Sequence, residues 1–193
     1  MPNCYVVSAG IESMSLNQNE PLWFCLRDLK RPNAKLKAYQ QLADDGFKVF
    51  TPLKETISVV KGRKTKTLRP FISDLLFVRS TREELDPVIQ KTPTLQYRFV
   101  KGGQYLEALT VPDIQMEAFI KVATLGDKTE YFQPGEINKS MIGRPVRIIG
   151  GPLDSVEGKV LAIRGKKNRR VVIEIQELLS MTFEVAPDLL KLI

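Results

Sequence analysis

Histidine is absent from all 193 residues. That removes imidazole both as an acid–base catalyst and as a metal ligand. Cysteine is scarce: only Cys4 and Cys25 occur, and their separation matches no metal or redox spacing. Both are expected as reduced thiols, Cys25 within a core strand. No glycine-rich phosphate loop and no nucleophile motif is present. Asp44 and Asp45 are adjacent, but neighbouring helix positions do not converge on one point. A solvated helix end is the better account of them. An enzyme is therefore not expected, and neither is a cofactor or a metal. The opening segment, Met1 to Glu20, has no basic n-region and no apolar run long enough for export or anchoring. It reads as an N-terminal extension of a cytoplasmic protein. Within it Cys4 to Val7 suits a short strand, while the polar continuation suits disorder equally.

What the chain does have is positive charge. Lysine and arginine number 29 against 22 acidic residues, giving a net charge of +7 and a pI near 9.4. Such a balance draws a protein to phosphate or to acidic surfaces, although a merely basic surface explains it equally. A hydrophobic fraction of 43% is enough for a folded core.

The pattern divides the chain at a polar, weakly periodic linker, residues 125–139, punctuated by Gly126, Pro134 and Gly135. Tyr131 and Phe132 are the residues in it able to dock locally. Before it, residues 21–124 alternate strand and helix patterns. Trp23 to Leu26 is an apolar strand. Pro32 to Asp45 has helical spacing at Leu36, Tyr39 and Ala43, with Asn33 as a cap and Gly46 as the stop. Phe47 to Phe50 and Leu53 to Val60 read as strands. Leu75 to Val78 reads as a strand buried on both faces. Thr81 and Glu84 have capping-box spacing, yet Pro87 argues for a later helix start at Asp86. Leu95 to Val100 is a strand, and Pro112 to Ala123 a helix with Met116, Phe119 and Ile120 inward. The sum is an α+β layer on a mostly antiparallel sheet. Residues 140–193 are all β: short strands amounting to a small SH3-like barrel. Val146, Ile148, Val160, Val171, Ile173 and Phe183 are its expected core.

Gly143 to Val160 is the most informative stretch. An alternating run reaches a tight Gly150-Gly151-Pro152 turn, and a second run carries a lone glycine, Gly158. This resembles the KOW motif of the NusG family of transcription elongation factors, in which a second-strand glycine is the hallmark. Gly151 and Gly158 take the structural positions. The first half resembles the family's NGN domain, from Trp23 through Phe50-Thr51-Pro52, the basic hairpin and Leu75 to Val78, to Pro112. One departure is that Leu75 stands where the family has tyrosine, with Ser73-Asp74 in place of the usual turn. The hairpin and strand ending look most like specialised paralogs of the UpxY kind.

Three surfaces are candidates. Trp23, Phe71, Ile72, Leu75 and Phe77 are too many for one small core, so some are expected to face out and offer an apolar docking patch. The resemblance implies the clamp region of RNA polymerase as its partner. Lys61, Arg63, Lys64, Lys66 and Arg69 put five cations in nine residues. They are placed to touch phosphates of transcription-bubble or upstream DNA without reading sequence. No aromatic interleaves, so base stacking is not expected there. Arg164, Lys166, Lys167, Arg169 and Arg170 form a basic loop resembling the family's variable KOW loop. Leu153 is expected on the barrel's exposed apolar surface. The resemblance implies a ribosomal protein, Rho or RNA as the barrel's partner.

The reading is a monomeric, non-membrane elongation or antitermination factor that binds RNA polymerase through its first domain and recruits a second partner through its barrel. A ribosome- or RNA-binding KOW protein is the alternative.

Overall fold

A computed structural model describes residues 20–30, 36–60, 63–125, 127–137, 142–161, 169–176 and 178–193. The expectations for Cys4, Asn33, Lys61, Arg164, Lys166 and Lys167 lie outside the described residues.

The first unit is built on β1 (Leu22–Asp28), β2 (Lys48–Phe50), β5 (Leu75–Ser80), β6 (Leu95–Tyr97) and β7 (Thr110–Val111). Their order is β2-β5-β1-β6, with β7 also paired to β1, and the pairings are antiparallel. Strand side chains alternate between faces, and both faces of this sheet are covered. Phe24, Leu26, Leu76 and Val78 pack with Ala38 and Leu42 of α1 (Ala38–Asp44) and Leu85 of α2 (Arg82–Lys91). Trp23, Cys25, Leu75 and Phe77 pack with Met116, Phe119 and Val122 of α3 (Asp113–Leu125). This two-sided burial is why Leu75 to Val78 is continuously apolar. Each large side chain so buried contributes about 2 to 3 kcal/mol.

Local chemistry sets the ends of these helices. The Asp28 carboxylate accepts from Ala38 N–H at 3.1 Å, where α1 opens, and Gly46 takes φ +90° at its stop. At α2 the capping box forms: Glu84 N–H donates to the Thr81 hydroxyl, and Thr81 N–H to the Glu84 carboxylate. The helix is therefore capped by Thr81, begins at Arg82 and holds Pro87 inside it, which corrects the later start expected at Asp86. The caps satisfy N–H groups that the first turn leaves open.

Between β2 and β5, β3 (Leu53–Val60) and β4 (Arg63–Pro70) pair only with each other, as a separate two-stranded sheet. At eight residues each, they make a ribbon about 25 Å long.

The second unit has strand order β13-β9-β10-β11-β12-β8. Its members are β8 (Asp127–Phe132), β9 (Ile142–Ile148), β10 (Glu157–Leu161), β11 (Arg169–Ile175), β12 (Leu179–Val185) and β13 (Leu190–Leu192). Here the linker expectation needs correcting. Residues 127–132 are a strand, with Tyr131 opposite Met181 and Glu130 opposite Thr182. Ladder hydrogen bonds and an ion-pair cluster hold this polar run, and neither leaves a periodic apolar signal. Of the six expected core residues, Val146, Ile148, Val171, Ile173 and Phe183 are buried, and Val160 is half-buried.

Gly151 takes φ +70° in the turn, a region other residues resist. Gly158 is needed for a different reason. A Cβ there would lie 2.6 Å from Val171 Cγ1 and 2.7 Å from the Val172 carbonyl oxygen. The neighbouring strand passes too close for any side chain.

The two units share one apolar core, in which Phe119 and Met116 belong to the same cluster as Val171 and Ile173. Gln115 Nε2 donates to the Glu174 carbonyl at 2.7 Å, and Gln176 Nε2 to the Thr110 carbonyl at 2.7 Å. Lys121 Nζ donates to the Asp154 carbonyl at 2.9 Å. The Tyr131 ring lies 5.6 Å from Phe71 and 6.4 Å from Phe119, so β8 fastens one unit to the other.

Candidate nucleic-acid and protein interface

The ribbon's register sorts its side chains. Residues directly opposite in an antiparallel pair share a face. Lys54 faces Arg69, Thr56 faces Thr67, and Arg63 lies on the same side with them. Ile57 faces Lys66, Val59 faces Lys64, and Glu55 faces Leu68 on the other side. The sequence grouped Arg63, Lys64, Lys66 and Arg69 as one set, but the pleat divides them between two faces. The first face is polar and cationic. Its threonines are braced across the ribbon, each hydroxyl donating to the other's carbonyl at 3.3 to 3.4 Å. The second face is mixed: Ile57, Val59 and Leu68 are more than half exposed, and Lys66 pairs with Glu55 at 3.0 Å.

At the foot of the ribbon lies a recess of about 280 Å³. Lys30, Lys37 and Arg69 line it, with Tyr39, Gln40, Thr51 and Ser73. Asp28 also lines it, but its two oxygens accept from the backbone N–H groups of Lys30 and Ala38 at 2.9 and 3.1 Å. The carboxylate is thus spent on its own loop. The Lys30 ammonium donates to Gln41 Oε1 at 2.9 Å, which holds it at the rim. Sequence reasoning missed Tyr39, Lys30 and Lys37. Tyr39 packs against the core as its place in the helix's apolar stripe implies, and the approach of α1 to the ribbon sets it in the recess lining as well.

The apolar docking set splits as well. Trp23 and Phe77 are fully buried and Leu75 is 3% exposed, all beneath α3, so these three are corrected from docking residues to core residues. The helix α3 was expected from the sequence, but only the fold lays it over this face of the sheet, where it absorbs them. Phe71 and Ile72 are half-buried. Besides Tyr131, Phe71 meets the Lys54 ammonium 5.0 Å from its ring centre.

In the barrel two expected surface residues are interior. Leu153 is 9% exposed and joins the shared core, because its turn folds it inward. Arg170 is 6% exposed and is corrected from a partner-binding residue to an internal one. Its guanidinium reaches both oxygens of Glu130 and donates to the Lys128 carbonyl at 3.1 Å and to the Thr182 hydroxyl at 2.9 Å. Arg169 stays exposed on β11.

The electrostatics are those of a folded scaffold. Burial pushes the Cys25 thiol up to about 12, which leaves it protonated and inert. The hydrogen-bonded Arg79 guanidinium holds Asp113 below the ordinary carboxylate range. Asp154 is held low by the Gly150 N–H. Among the described residues no group of three or more cysteine, aspartate or glutamate side chains is placed to hold a metal ion, and no helix is long and apolar enough to cross a membrane.

A family model described as transcription termination factor nusG matches residues 22–120. That span runs from the first strand through the ribbon into α3. Among solved structures, NusG of Thermotoga maritima, described for its domain interaction, is similar at 18% identity, with 90% of this chain and 98% of that chain covered and a TM-score of 0.44. No curated protein matches the sequence.

Proposed function

The chain belongs to the NusG family, whose model covers residues 22–120, and on that premise we propose that its first unit docks on the clamp region of RNA polymerase and suppresses pausing or termination. Membership makes it in general a transcription elongation or antitermination factor. The observation that carries the finer reading is the placing of Phe71 and Ile72. They are half-buried apolar side chains at the foot of a cationic ribbon. An apolar anchor flanked by cations suits a helical partner lying beside nucleic acid. Docking suppresses pausing if the factor binds one closed polymerase state more tightly than the others. The barrel recruits a second partner, with Arg169 as the exposed cation of its described basic segment.

The test is binding of the full chain to purified core polymerase. Phe71→Ala with Ile72→Ala should cost about 2 kcal/mol of binding or more, with the fold retained. Tyr131→Ala, which uncovers Phe71, should strengthen binding. A folded double variant that binds normally would move the docking face elsewhere. Capture of ribosomes without polymerase from lysate would favour the ribosome- or RNA-binding reading instead.

A further inference from the structure

We infer that the mixed face of the ribbon is a docking surface for a second protein, and that it takes an amphipathic helix whose apolar row runs beside a row of carboxylates. The surface lies on the other side of the ribbon from the cationic face and is separate from Phe71 and Ile72.

Register lays this face out in two parallel rows. β3 contributes Ile57 and Val59, and β4 sets Lys66 and Lys64 directly opposite them. At the foot the pattern crosses over, with Glu55 on β3 and Leu68 on β4. Ile57, Val59 and Leu68 are 64%, 66% and 61% exposed. Strand propensity does not account for them. The cationic face needs the same extended backbone and meets it with Thr56 and Thr67, which are β-branched yet polar. Leu68 is not β-branched at all. Apolar side chains left in water on one face only mark a surface that a partner covers.

The cationic row selects the occupant. A phosphate chain would pair with Lys64 and Lys66 and leave the apolar row uncovered. A second copy fits no better. Stacking two such faces sets lysine on lysine, or buries lysine against isoleucine and valine. A partner with carboxylates beside apolar side chains satisfies both rows. The one acid on the face does not oppose it, because Glu55 already pairs with Lys66 at 3.0 Å. That exposed pair is weak, and an ammonium has three protons to donate, so Lys66 can serve both carboxylates.

Dimensions select a helix. Alternate residues along a strand are about 7 Å apart, and residues four apart on a helix rise about 6 Å. Leucines at i and i+4 therefore meet Val59 and Ile57 in turn, while glutamates on the adjoining stripe meet Lys64 and Lys66. A helix about 10 Å across with its side chains covers two strands that lie about 5 Å apart.

The test is fluorescence anisotropy of the full chain with three labelled helical peptides. The first has a leucine row beside a glutamate row. The second carries lysines in place of the glutamates, and the third glutamines in place of the leucines. The first should bind more tightly than either of the others. Ile57→Thr with Val59→Thr, which keeps both positions β-branched, should weaken it by about tenfold and leave its salt dependence unchanged. Lys64→Glu with Lys66→Glu should reverse the preference between the glutamate and lysine peptides. Backbone amide NMR shifts of Thr56 and Thr67 report the ribbon's pairing in each variant. If the Ile57 and Val59 variant unpairs the ribbon, the charge reversal carries the test. Failure of the first peptide to bind would overturn the proposal. So would equal binding of the glutamate and lysine peptides, or unchanged affinity in the folded variants. Dimerisation of the chain in sedimentation velocity, lost with Ile57→Thr and Val59→Thr, would give the face to a second copy and overturn the helix. Binding to phosphatidylglycerol vesicles that depends on the same two residues would give it to lipid and do likewise. Polymerase docking is read separately through Phe71 and Ile72, which none of these variants alters.

Discussion

The ribbon and the barrel are both made of short antiparallel strands carrying arginine and lysine, and they use those cations in opposite ways. On the ribbon, β3 and β4 have no further strand on either side. Arg63, Lys64 and Arg69 are exposed there. In the barrel, β11 has neighbours on both edges, and Arg170 is enclosed by β8 and β12, with Glu130 and Glu184 as counterions. The same residue type is a surface charge in one place and an internal strut in the other. What decides is the number of layers around the strand. A guanidinium with water on all sides keeps its hydration. One that is enclosed needs acceptors and counterions to offset its desolvation: Arg170 finds acceptors in Glu130, Thr182 and the Lys128 carbonyl, while its Nε has no hydrogen-bond partner and meets the Glu184 carboxylate at 3.9 Å.

The sharpest way to break the comparison is to delete the enclosed cation. Arg170→Ala leaves Glu184, itself buried, without one of its cationic neighbours. The loss should be about 3 kcal/mol, read by urea unfolding. Arg63→Ala should stay within about 0.5 kcal/mol of the parent. If the two variants lose similar stability, Arg170 is not a strut.

Next in size is the crowded glycine. Gly158→Ala sets a Cβ against the Val172 carbonyl, and overpacking of this kind costs about 1 to 3 kcal/mol. The sequence alone suggested that the first unit would be spared, since a linker separates the two. The shared core changes that expectation. Unfolding followed both by Trp23 fluorescence and by the barrel's backbone signals should show coincident transitions, moved together by the substitution. A shift in the barrel signals alone would mean that the interface contributes little.

A subtler test sharpens the division within the ribbon. Arg63→Ala with Arg69→Ala removes two cations from the polar face, and Lys64→Ala with Lys66→Ala removes two from the mixed face. The two double variants have equal net charge. The first should flatten the salt dependence of binding to an assembled elongation complex by about two units, and the second by much less. Equal flattening would mean that charge alone matters and that the faces are not distinct.

The smallest effect expected is in acid. Arg79 depresses the folded-state pKa of Asp113. A depressed carboxylate contributes stability above its unfolded pKa, and that stability is lost as pH falls through the folded value. Asp113→Asn should therefore flatten the stability profile below about pH 4, while at neutral pH it forfeits the ion-pair contribution. Both side chains are partly exposed, so the difference should be under about 1 kcal/mol and fade with added salt. A profile unchanged in that window would assign the pair no net role.

Much of this was legible from residue order. Continuous apolar runs at Trp23 to Leu26 and at Leu75 to Val78, helical spacing from Met116, the turn glycines and the lone Gly158 are local signals. Each depends on a period or a backbone angle that neighbouring residues impose. The division into an α+β unit and an all-β unit follows from the same periods, and so does the family resemblance at Trp23, Phe50, Pro52 and Gly158. The tertiary structure decided the rest. It sent Trp23, Phe77 and Leu153 inward, locked Arg170, turned residues 127–132 into a strand, and set Tyr39 and Arg69 in the lining of one recess. In each case the deciding partner is distant in the chain. Periodicity says that a side chain has a face, but what covers that face depends on which remote element packs there.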